Sequence, residues 1–399
     1  MAPGSYWFVS HLAAREKYSI PRALCRAGIP LEMYTDLWVG PCLTRFTRLP
    51  WSGVRDHPDV VHANVHHRNA ESGIRRFVKR DFSGLGADES FDKWTHRCLR
   101  QCSRRHPPEV VFAYSYSCAQ TLSLGRDIGT VNILGQINPG PYEARIVEEE
   151  YEKEFGDQYK PSIPPAEFWD SWNLETENAD VILVNSRWSF RLLHKSGIPD
   201  KKLQLVPLVY DRPLGSIEPK SYPARFNGER PLRILYLGAV SVRKGFHILK
   251  RAMQALSDIP VVLDVVGRLN GPVELLERLS PNVRYHGPAP QNGVDTYYRE
   301  ADVFILPTLS DGFALTQLEA QYWKCPVIAT PYCGEVVRNG QNGLLLAQLG
   351  AEAITEAVLS LIEEPALLRY FSENALDLQP FSLDELGKRL IRIRNGKHL

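Results

Sequence analysis

Residues 301–346 read ADVFILPTLSDGFALTQLEAQYWKCPVIATPYCGEVVRNGQNGLLL and alternate apolar runs with polar turns. The run 302–306 is short, apolar and ends at Pro307, which is typical of a strand buried on both faces of a parallel sheet. Residues 326–329 predict the next strand, and the Asn342-Gly343 turn introduces a third apolar run. A helix fits between the first two strands, so the segment predicts a parallel strand, helix, strand crossover.

The loop inside this segment has the features of an anion-binding turn. Asp311, Gly312 and Phe313 lead into a helix that begins near Thr316, where free N–H groups favour a negative charge. Asp311 and Glu319 could both face a ligand at the strand ends, where carboxylates suit sugar hydroxyls. Alternatively, Thr316 and Glu319 have the spacing of a capping box, in which Glu319 only satisfies helix N–H groups.

The composition is that of an ordinary globular protein. At 399 residues the chain exceeds the size at which one core keeps growing, so two domains are expected. The net charge of +1 gives no reason to expect nucleic acid as a partner, and no apolar run approaches a membrane span. Residues 1–9 favour a first strand over a signal peptide, which predicts a cytoplasmic location. The seven cysteines include no CxxC pair and fit free thiols.

Strands and helices alternate through both halves of the chain, which predicts two α/β domains. The predicted strands of the first half are 6–9, 110–114, 131–136, 181–185 and 203–207, with a helix over 13–27. Those of the second half are 232–237, 261–266 and 283–286, with a helix over 245–256, before the segment quoted above. The predicted divisions are an N-terminal domain 1–210, a proline-rich linker 211–230, a C-terminal domain 231–378, and a C-terminal helix 379–399 that could pack back on the N-terminal domain.

A second loop carries two adjacent cations. LGAVSVRKG at 237–245 follows a predicted strand and precedes a predicted helix, so Arg243 and Lys244 should lie at the carboxyl end of the sheet. Both could neutralise a diphosphate and stabilise a departing nucleoside diphosphate more than the bound substrate. The alternative is a solvated pair at a helix entry. No GxxxxGK[ST] or GxGxxG motif is present, which argues against a Rossmann dehydrogenase.

Five segments, taken in order, resemble the donor-binding domain of the retaining GT-B glycosyltransferases, specifically the large GT4 family. They are LGAVSVRKG, NVRYHGP, ADVFILPTLSDGFALTQLEA, CPVIAT and GEVVRNGQNGLLL. The match covers roughly residues 230–350, and ADVILVNS with KLQLVPLVYD extends it into the first half. The resemblance implies an α/β GT-B fold with two Rossmann-like doubly wound domains facing across a cleft. The acceptor would bind the N-terminal domain and a nucleotide-sugar the C-terminal domain.

The resemblance also implies roles for single residues. Lys244 matches the family's diphosphate-binding lysine, and Asp311 and Glu319 match its acidic pair, which contacts a sugar hydroxyl and the ribose. Arg243 substitutes for an arginine that the family usually carries where this chain has Ala239. The catalytic candidates are therefore Lys244, Arg243 and Asp311. The remaining donor-binding candidates are Glu319, Gly312, Phe313, Ala314, Leu315, Thr316, Gly238, Gly287 and Pro288. Besides Ala239, the chain departs from the family pattern at Asp311, commonly Glu, and at Ala314, commonly Gly.

The first half supplies candidates for the acceptor side of the cleft. His11, Tyr114, Ser115 and Asn138 end or follow predicted strands, where the family takes its acceptor contacts. His11 could equally have a structural role at its strand end. Glu143 and residues 148–150 lie in a heavily charged helical run and are interpreted as solvated surface.

Two further clusters have competing interpretations. His62 and His66 have the i, i+4 spacing of a helical metal pair, and His67 is adjacent, yet no Cys or carboxylate signature accompanies them, which favours structural or surface histidines. A basic stretch could contact anionic lipid as a peripheral membrane surface or bind a phosphorylated acceptor, with a solvated face as the default. Its members are Arg75, Arg76, Lys79, Arg80, Arg97, Arg100, Arg104 and Arg105.

The resulting hypothesis is a retaining hexosyltransferase that uses a nucleoside-diphosphate sugar, preferably a UDP- or GDP-sugar, and an unidentified small-molecule, glycan or lipid acceptor. Front-face displacement is the mechanism that the resemblance implies. The chain contains no Asp-x-Asp, so no metal and no cofactor are expected, and charge stabilisation falls to Arg, Lys and a helix N-terminus. The alternatives are a non-catalytic nucleotide-sugar binding protein and a phosphorylase or epimerase on the same scaffold.

Overall fold

The computed structural model describes residues 5–13, 15–36, 58–60, 64–67, 85–159, 161, 164–212, 217–290 and 293–396. They form two parallel sheets, each covered by helices on both faces. His62 and the basic residues Arg75, Arg76, Lys79 and Arg80 lie outside the described residues, and the hypotheses about them stay untested.

The N-terminal domain is built on a seven-stranded sheet with the order β3-β2-β1-β4-β5-β6-β7. All of its strand pairs are parallel. The strands are β1 Trp7–Ser10, β2 Leu31–Thr35, β3 Asn64–His67, β4 Val110–Tyr114, β5 Val131–Gly135, β6 Val181–Val184 and β7 Leu203–Leu205. The helices are α1 Ser19–Arg26, α2 Leu85–Ser103, α3 Ala119–Asp127, α4 Pro141–Phe155, α5 Ala166–Asn178 and α6 Arg187–Lys195.

The C-terminal domain repeats this architecture with a six-stranded parallel sheet of order β10-β9-β8-β11-β12-β13. Its strands are β8 Leu232–Leu237, β9 Val261–Val266, β10 Val283–Gly287, β11 Val303–Leu306, β12 Val327–Ala329 and β13 Gly343–Leu345. Its helices are α7 Phe246–Ala255, α8 Val294–Glu300, α9 Thr316–Tyr322, α10 Ala351–Glu363 and α11 Pro365–Glu373, and the chain ends in α12 Leu383–Arg394.

Alternation along the central strands explains why both faces of each sheet need helices. In β4, Val110 and Phe112 join one apolar core, whereas Val111 faces a second core on the other side. In β11, Ile305 and Phe304 divide in the same way between two cores of the C-terminal domain. Strands with no polar face must be covered on both sides, which is the doubly wound arrangement. The predicted fold class is confirmed.

The order of each sheet reverses at one point, between β1 and β4 in the first sheet and between β8 and β11 in the second. The connections after these strands leave toward opposite faces of the sheet and open a crevice at the carboxyl ends. The loops after β8 and β11 are the two that the sequence assigned to a diphosphate and a sugar.

The last helix returns to the first domain. Leu386 and Leu390 of α12 are buried in the N-terminal core, and α12 packs directly on α1. Gly387 permits this close packing, because a Cβ there would lie 3.1 Å from the carbonyl oxygen of Ala23. The chain therefore crosses between the domains twice, once before β8 and once before α12.

The helix predicted over 13–27 begins later in the structure than the sequence suggested. Residues Arg15–Tyr18 form a 3-10 turn, and α1 begins at Ser19. Tyr18 has a φ of 59°, outside the right-handed helical region, and Pro21 is tolerated only in the first turn of a helix. These two features exclude residues 13–18 from the helix.

The disfavoured alternative of a helical metal pair at His62 and His66 is not observed at His66, because His66 and His67 belong to β3. The His66 ring stacks on Tyr34 of β2, with ring centroids 4.6 Å apart. The structural interpretation of His66 fits this contact.

The described part of the basic stretch lies on α2 and directly after it. Arg97, Arg100, Arg104 and Arg105 are exposed, as a solvated face requires. Contact with anionic lipid stays a prediction. None of the described helices combines the length and the apolar character needed to cross a membrane.

Candidate functional site

Two loops of the C-terminal domain meet at its switch point. The loop 238–245 follows β8, and the loop 307–315 follows β11. The carbonyl oxygen of Arg243 accepts hydrogen bonds from Leu309 N at 2.9 Å and Thr308 Oγ1 at 3.1 Å. Gly245 makes this approach possible, because a Cβ there would lie 1.7 Å from the carbonyl oxygen of Pro307. The backbone thus locks the cation loop against the acidic loop.

This contact brings the three catalytic candidates together. The Lys244 ammonium forms an ion pair with Asp311, and Arg243 Nη1 lies 3.3 Å from the same Asp311 oxygen. Arg243 Nη1 also donates to the carbonyl oxygen of Ser310 at 3.0 Å. The Lys244 side chain is 14% exposed and that of Arg243 is 36% exposed, so both cations keep some contact with solvent.

The charge of Asp311 is held by its neighbours. Burial would raise the pKa of this carboxyl, but Lys244 and Arg243, together with a hydrogen bond from Phe313 N at 3.1 Å, outweigh burial and bring the pKa to about 2. Asp311 is therefore ionised throughout the physiological range and compensates part of the positive charge of the loop.

We expect this ion pair to be visible in the pH dependence of stability. The folded pKa of Asp311 lies below its unfolded value, so its contribution is fully present above about pH 4 and is lost as the pH falls toward about 2, amounting to about 2 kcal/mol. Unfolding free energies of the wild type and Asp311→Asn should differ by this amount at pH 6, and the difference should shrink below about pH 4. A difference that stays constant down to pH 3 would contradict the assignment.

The capping-box alternative for Glu319 is not observed. Glu319 Oε2 accepts a hydrogen bond from the Tyr298 hydroxyl at 2.8 Å, and the N-cap of α9 has no side-chain hydrogen bond. Within the described residues, the Thr316 hydroxyl is buried without a hydrogen-bond partner. Glu319 lies half-buried in the first turn of α9, and its hydrogen bond to Tyr298 ties it to α8.

Several groups of the predicted donor loop already make contacts within the protein. The N–H of Phe313 is taken by Asp311, and its ring is buried against Phe381, with centroids 6.0 Å apart. Gly312 faces the N-terminal domain, where its carbonyl oxygen accepts from Ser189 Oγ at 3.3 Å. Ala314 has a φ of 65°, a conformation that favours the glycine of the family pattern. Leu315 lies half-buried next to it at the N-cap of α9.

A glycine cluster lines the other flank of the loop after β8. Gly238 N donates to Val266 O, and Gly267 N donates to Gly287 O, each at 2.9 Å. A Cβ on Gly267 would lie 1.7 Å from the carbonyl oxygen of Gly238. Gly287 and Pro288 lie at the end of the edge strand β10, partly or fully exposed. The role that the sequence suggested for Gly287 and Pro288, bordering the base of the nucleotide, stays a prediction.

The acceptor-side candidates mostly form hydrogen bonds or ring contacts with residues of their own and neighbouring loops. His11 is fully buried, with Nδ1 2.8 Å from Ala13 O, and burial lowers its pKa to about 4, so the ring is neutral. Its ring packs edge-on against Tyr114, with centroids 5.1 Å apart. Ser115 Oγ accepts from Ile137 N at 3.2 Å, and Asn138 Oδ1 accepts from the Tyr116 hydroxyl at 2.6 Å. These four residues shape the loops after β1, β4 and β5.

Glu143 was not among the site residues predicted from the sequence. Its prediction as a solvated surface residue is wrong, because Glu143 is 7% exposed and accepts a hydrogen bond from Ser310 Oγ at 2.8 Å. Glu143 Oε2 also lies 4.0 Å from Arg243 Nη1. Burial raises the pKa of Glu143, and Arg243 opposes this effect. Gly140 and Pro141 open α4 directly after the loop that follows β5, so position alone could have distinguished Glu143 from the exposed Glu148 and Glu149. The interpretation as solvated surface is also wrong for Glu150, whose side chain is 13% exposed and pairs with His247.

Comparisons with known proteins agree with this geometry. Residues 231–364 match the family model described as glycosyl transferases group 1. This part of the chain is therefore similar to the glycosyl transferases group 1 family. A D-inositol 3-phosphate glycosyltransferase from Corynebacterium urealyticum is 26% identical over 244 residues, covering 54% of this chain and 57% of that protein. The lipopolysaccharide core biosynthesis mannosyltransferase LpcC of Rhizobium leguminosarum bv. viciae is 32% identical over 100 residues, covering 25% of this chain and 28% of LpcC.

The chain thus spans little more than half the length of the first of these relatives and about a quarter of the second. Among solved structures, sucrose-phosphate synthase from Thermosynechococcus elongatus superposes with a TM-score of 0.70 at 16% identity, covering 98% of both chains. Anabaena Alr3699/HepE in complex with UDP gives a TM-score of 0.63 at 13% identity, covering 98% of this chain and all of that one. At these identities the likeness shows the shared fold. The family prediction is confirmed for the group 1 domain.

Proposed function

We propose that the protein transfers a hexosyl unit from a nucleoside-diphosphate sugar to an acceptor hydroxyl with retention of anomeric configuration. The observation that carries this proposal is the cluster of Arg243, Lys244 and Asp311 at the switch point of a group 1 glycosyl transferase domain. Anabaena Alr3699/HepE, which shares the fold, has been solved in complex with UDP and with UDP-glucose, which supports a UDP-sugar as the first donor to try.

The two cations have hydrogen-bond donors to spare for a diphosphate. Lys244 uses its ammonium for Asp311, and an ammonium has three donors. Arg243 uses Nη1 for Ser310 and Asp311, and no contact of its Nη2 is found among the described residues. Because the leaving diphosphate gains charge as the glycosidic bond breaks, these cations bind the transition state more tightly than the ground state.

Asp311 would then be the group that orients the sugar. It is held in the ionised form, and a carboxylate beside the diphosphate can accept hydrogen bonds from donor-sugar hydroxyls. In front-face displacement, the leaving phosphate helps to take the proton of the acceptor hydroxyl, so the protein needs no separate base on that face. The donor would be bound without a metal, since Arg243 and Lys244 supply the charge that a cation would otherwise provide. Membership of GT4, the absence of a cofactor and a cytoplasmic location stay predictions.

The test is sugar transfer itself. The protein is incubated with UDP-, GDP-, ADP- and TDP-sugars, with EDTA present, and with a mixture of simple glycoside and lipid-linked acceptors. We expect release of one class of nucleoside diphosphate together with a glycosylated product whose anomeric configuration, read by NMR, matches that of the donor. Binding of a nucleotide-sugar without release or transfer would favour the non-catalytic alternative, and a strict requirement for orthophosphate would favour a phosphorylase.

A further inference from the structure

One helix of the N-terminal domain reaches into the donor site of the other domain. The first turn of α4 carries Glu143, whose carboxylate accepts from Ser310 Oγ at 2.8 Å. Ser310 lies in the loop after β11, directly before Asp311. The Glu143 side chain is only 9% exposed, so this contact is sealed from water at the boundary between the domains.

Ser310 is held from three directions. Trp188 Nε1, from α6 of the N-terminal domain, donates to Ser310 Oγ at 2.9 Å. The Ser310 hydroxyl thus accepts from one N-terminal helix and donates to another. On the opposite side, the carbonyl oxygen of Ser310 accepts from Arg243 Nη1 at 3.0 Å. A shift of the N-terminal domain would therefore pull on the residue that fixes Arg243.

Glu143 also acts on Arg243 through charge. Arg243 Nη1 lies 4.0 Å from the Glu143 carboxylate and 3.3 Å from that of Asp311. One carboxylate comes from each domain, so the guanidinium is placed between two anions only when the domains are together. Attraction between such charges is stronger in a site with little water than at an exposed surface.

The rest of α4 fixes the position of Glu143. Glu150 Oε1 accepts a hydrogen bond from Nε2 of the buried His247 ring at 2.9 Å, and Arg251 donates to Glu154 at 2.8 Å, both across the domain boundary to α7. Tyr151 and Phe155 pack against the C-terminal core. Because the whole helix lies along the second domain, Glu143 is held in place by several contacts that do not involve the donor site.

We propose that Glu143 is a positioning residue, which aligns Arg243 and the Ser310 loop for the donor diphosphate and makes domain closure and assembly of the cation site a single event. This inference rests on the proposed function. Arg243 is the group that touches the diphosphate, and Glu143 acts through it. If the domains closed without Glu143, the Arg243 guanidinium would still carry its charge but would not be held in one position for the diphosphate.

A set of substitutions separates charge from hydrogen bonding. Glu143→Gln keeps an acceptor for Ser310 and removes the charge beside Arg243, whereas Ser310→Ala removes the hydrogen bond and keeps the charge. Glu149→Gln is the matched control, since Glu149 lies exposed on the same helix. Glu143→Gln should lower kcat and kcat/KM together by about tenfold or more, as expected when an interaction realised in the transition state is lost. The control should behave as the wild type.

The decisive readout is the coupling between Glu143 and Arg243. If Glu143 acts through Arg243, adding Glu143→Gln to an Arg243→Gln background should cost little further activity, because the group that it aligns is already gone. A purely structural role predicts that the two losses multiply, and this result would overturn the proposal, as would wild-type kinetics for Glu143→Gln. Thermal unfolding of each variant checks that it is folded. A wild type inactive with every donor would instead refute the proposed function.

Discussion

Replacing Lys244 with alanine is expected to lower turnover by about 10²- to 10³-fold, the loss typical when one group that stabilises developing negative charge is removed. Lys244 is the less exposed of the two cations, and its ammonium forms an ion pair with the Asp311 carboxylate at the switch point of the sheet. The diphosphate would lose one of the two cations proposed to bind it, at the stage of the reaction where its negative charge increases. Single-turnover kinetics at saturating donor measure this effect without interference from product release.

The fold should survive the Lys244 substitution. Asp311 keeps Arg243 at 3.3 Å and the N–H of Phe313 at 3.1 Å, so the carboxylate is not left without a partner. Lys201→Ala is the matched control, because Lys201 is exposed on the turn before β7. A Lys244→Ala protein with an unchanged unfolding temperature and near-normal turnover would remove Lys244 from the mechanism.

The second large effect is expected for Gly245→Ala, which should reduce the free energy of unfolding by about 2 to 4 kcal/mol and abolish most activity. Gly245 has a φ of 72°, and a Cβ there would lie 1.7 Å from the carbonyl oxygen of Pro307. That oxygen belongs to backbone and cannot swing aside, so the loops after β8 and β11 must separate. Lys244 would then move away from Asp311.

Chemical unfolding compares this variant with Gly228→Ala, the matched control. An added Cβ at Gly228 meets nothing within 4 Å, and its backbone needs no left-handed conformation. The control should therefore match the wild type in stability and turnover. If Gly245→Ala unfolds at the same denaturant concentration as the control, the close contact between the two loops is not what holds the cation site.

The sequence predicted the central strands well for a physical reason. Residues 110–114, 232–237 and 261–266 were predicted with the boundaries that the structure has, because buried parallel strands are continuous apolar runs between turn residues. The strands β2 and β3 were missed. β2 reads LEMYT, with a charge inside it, and β3 reads NVHH, so neither carries the apolar signal of a central strand. Both lie on the outer side of the sheet, where polar residues are tolerated.

The clustering of Arg243, Lys244 and Asp311 could be predicted from the sequence, whereas the contact between domains could not. Arg243, Lys244 and Asp311 follow strands of one sheet, and topology alone brings their loops together. The contact of Glu143 with Ser310 joins residues 167 positions apart in different domains, and no local pattern encodes such a pair. The charged run around Glu143 suggested solvent, because the sequence shows charge but not the opposing surface that neutralises it.

The most direct test of the donor site is the thermal unfolding of the protein in EDTA with UDP, GDP, ADP or TDP. A ligand that binds only the folded state stabilises it by about 2.7 kcal/mol at a concentration of 100 Kd. We predict a rise in the unfolding temperature with one nucleotide class that persists in EDTA and is lost in Lys244→Ala. No rise with any nucleotide, or a rise that EDTA abolishes, would contradict a metal-free diphosphate site formed by Arg243 and Lys244.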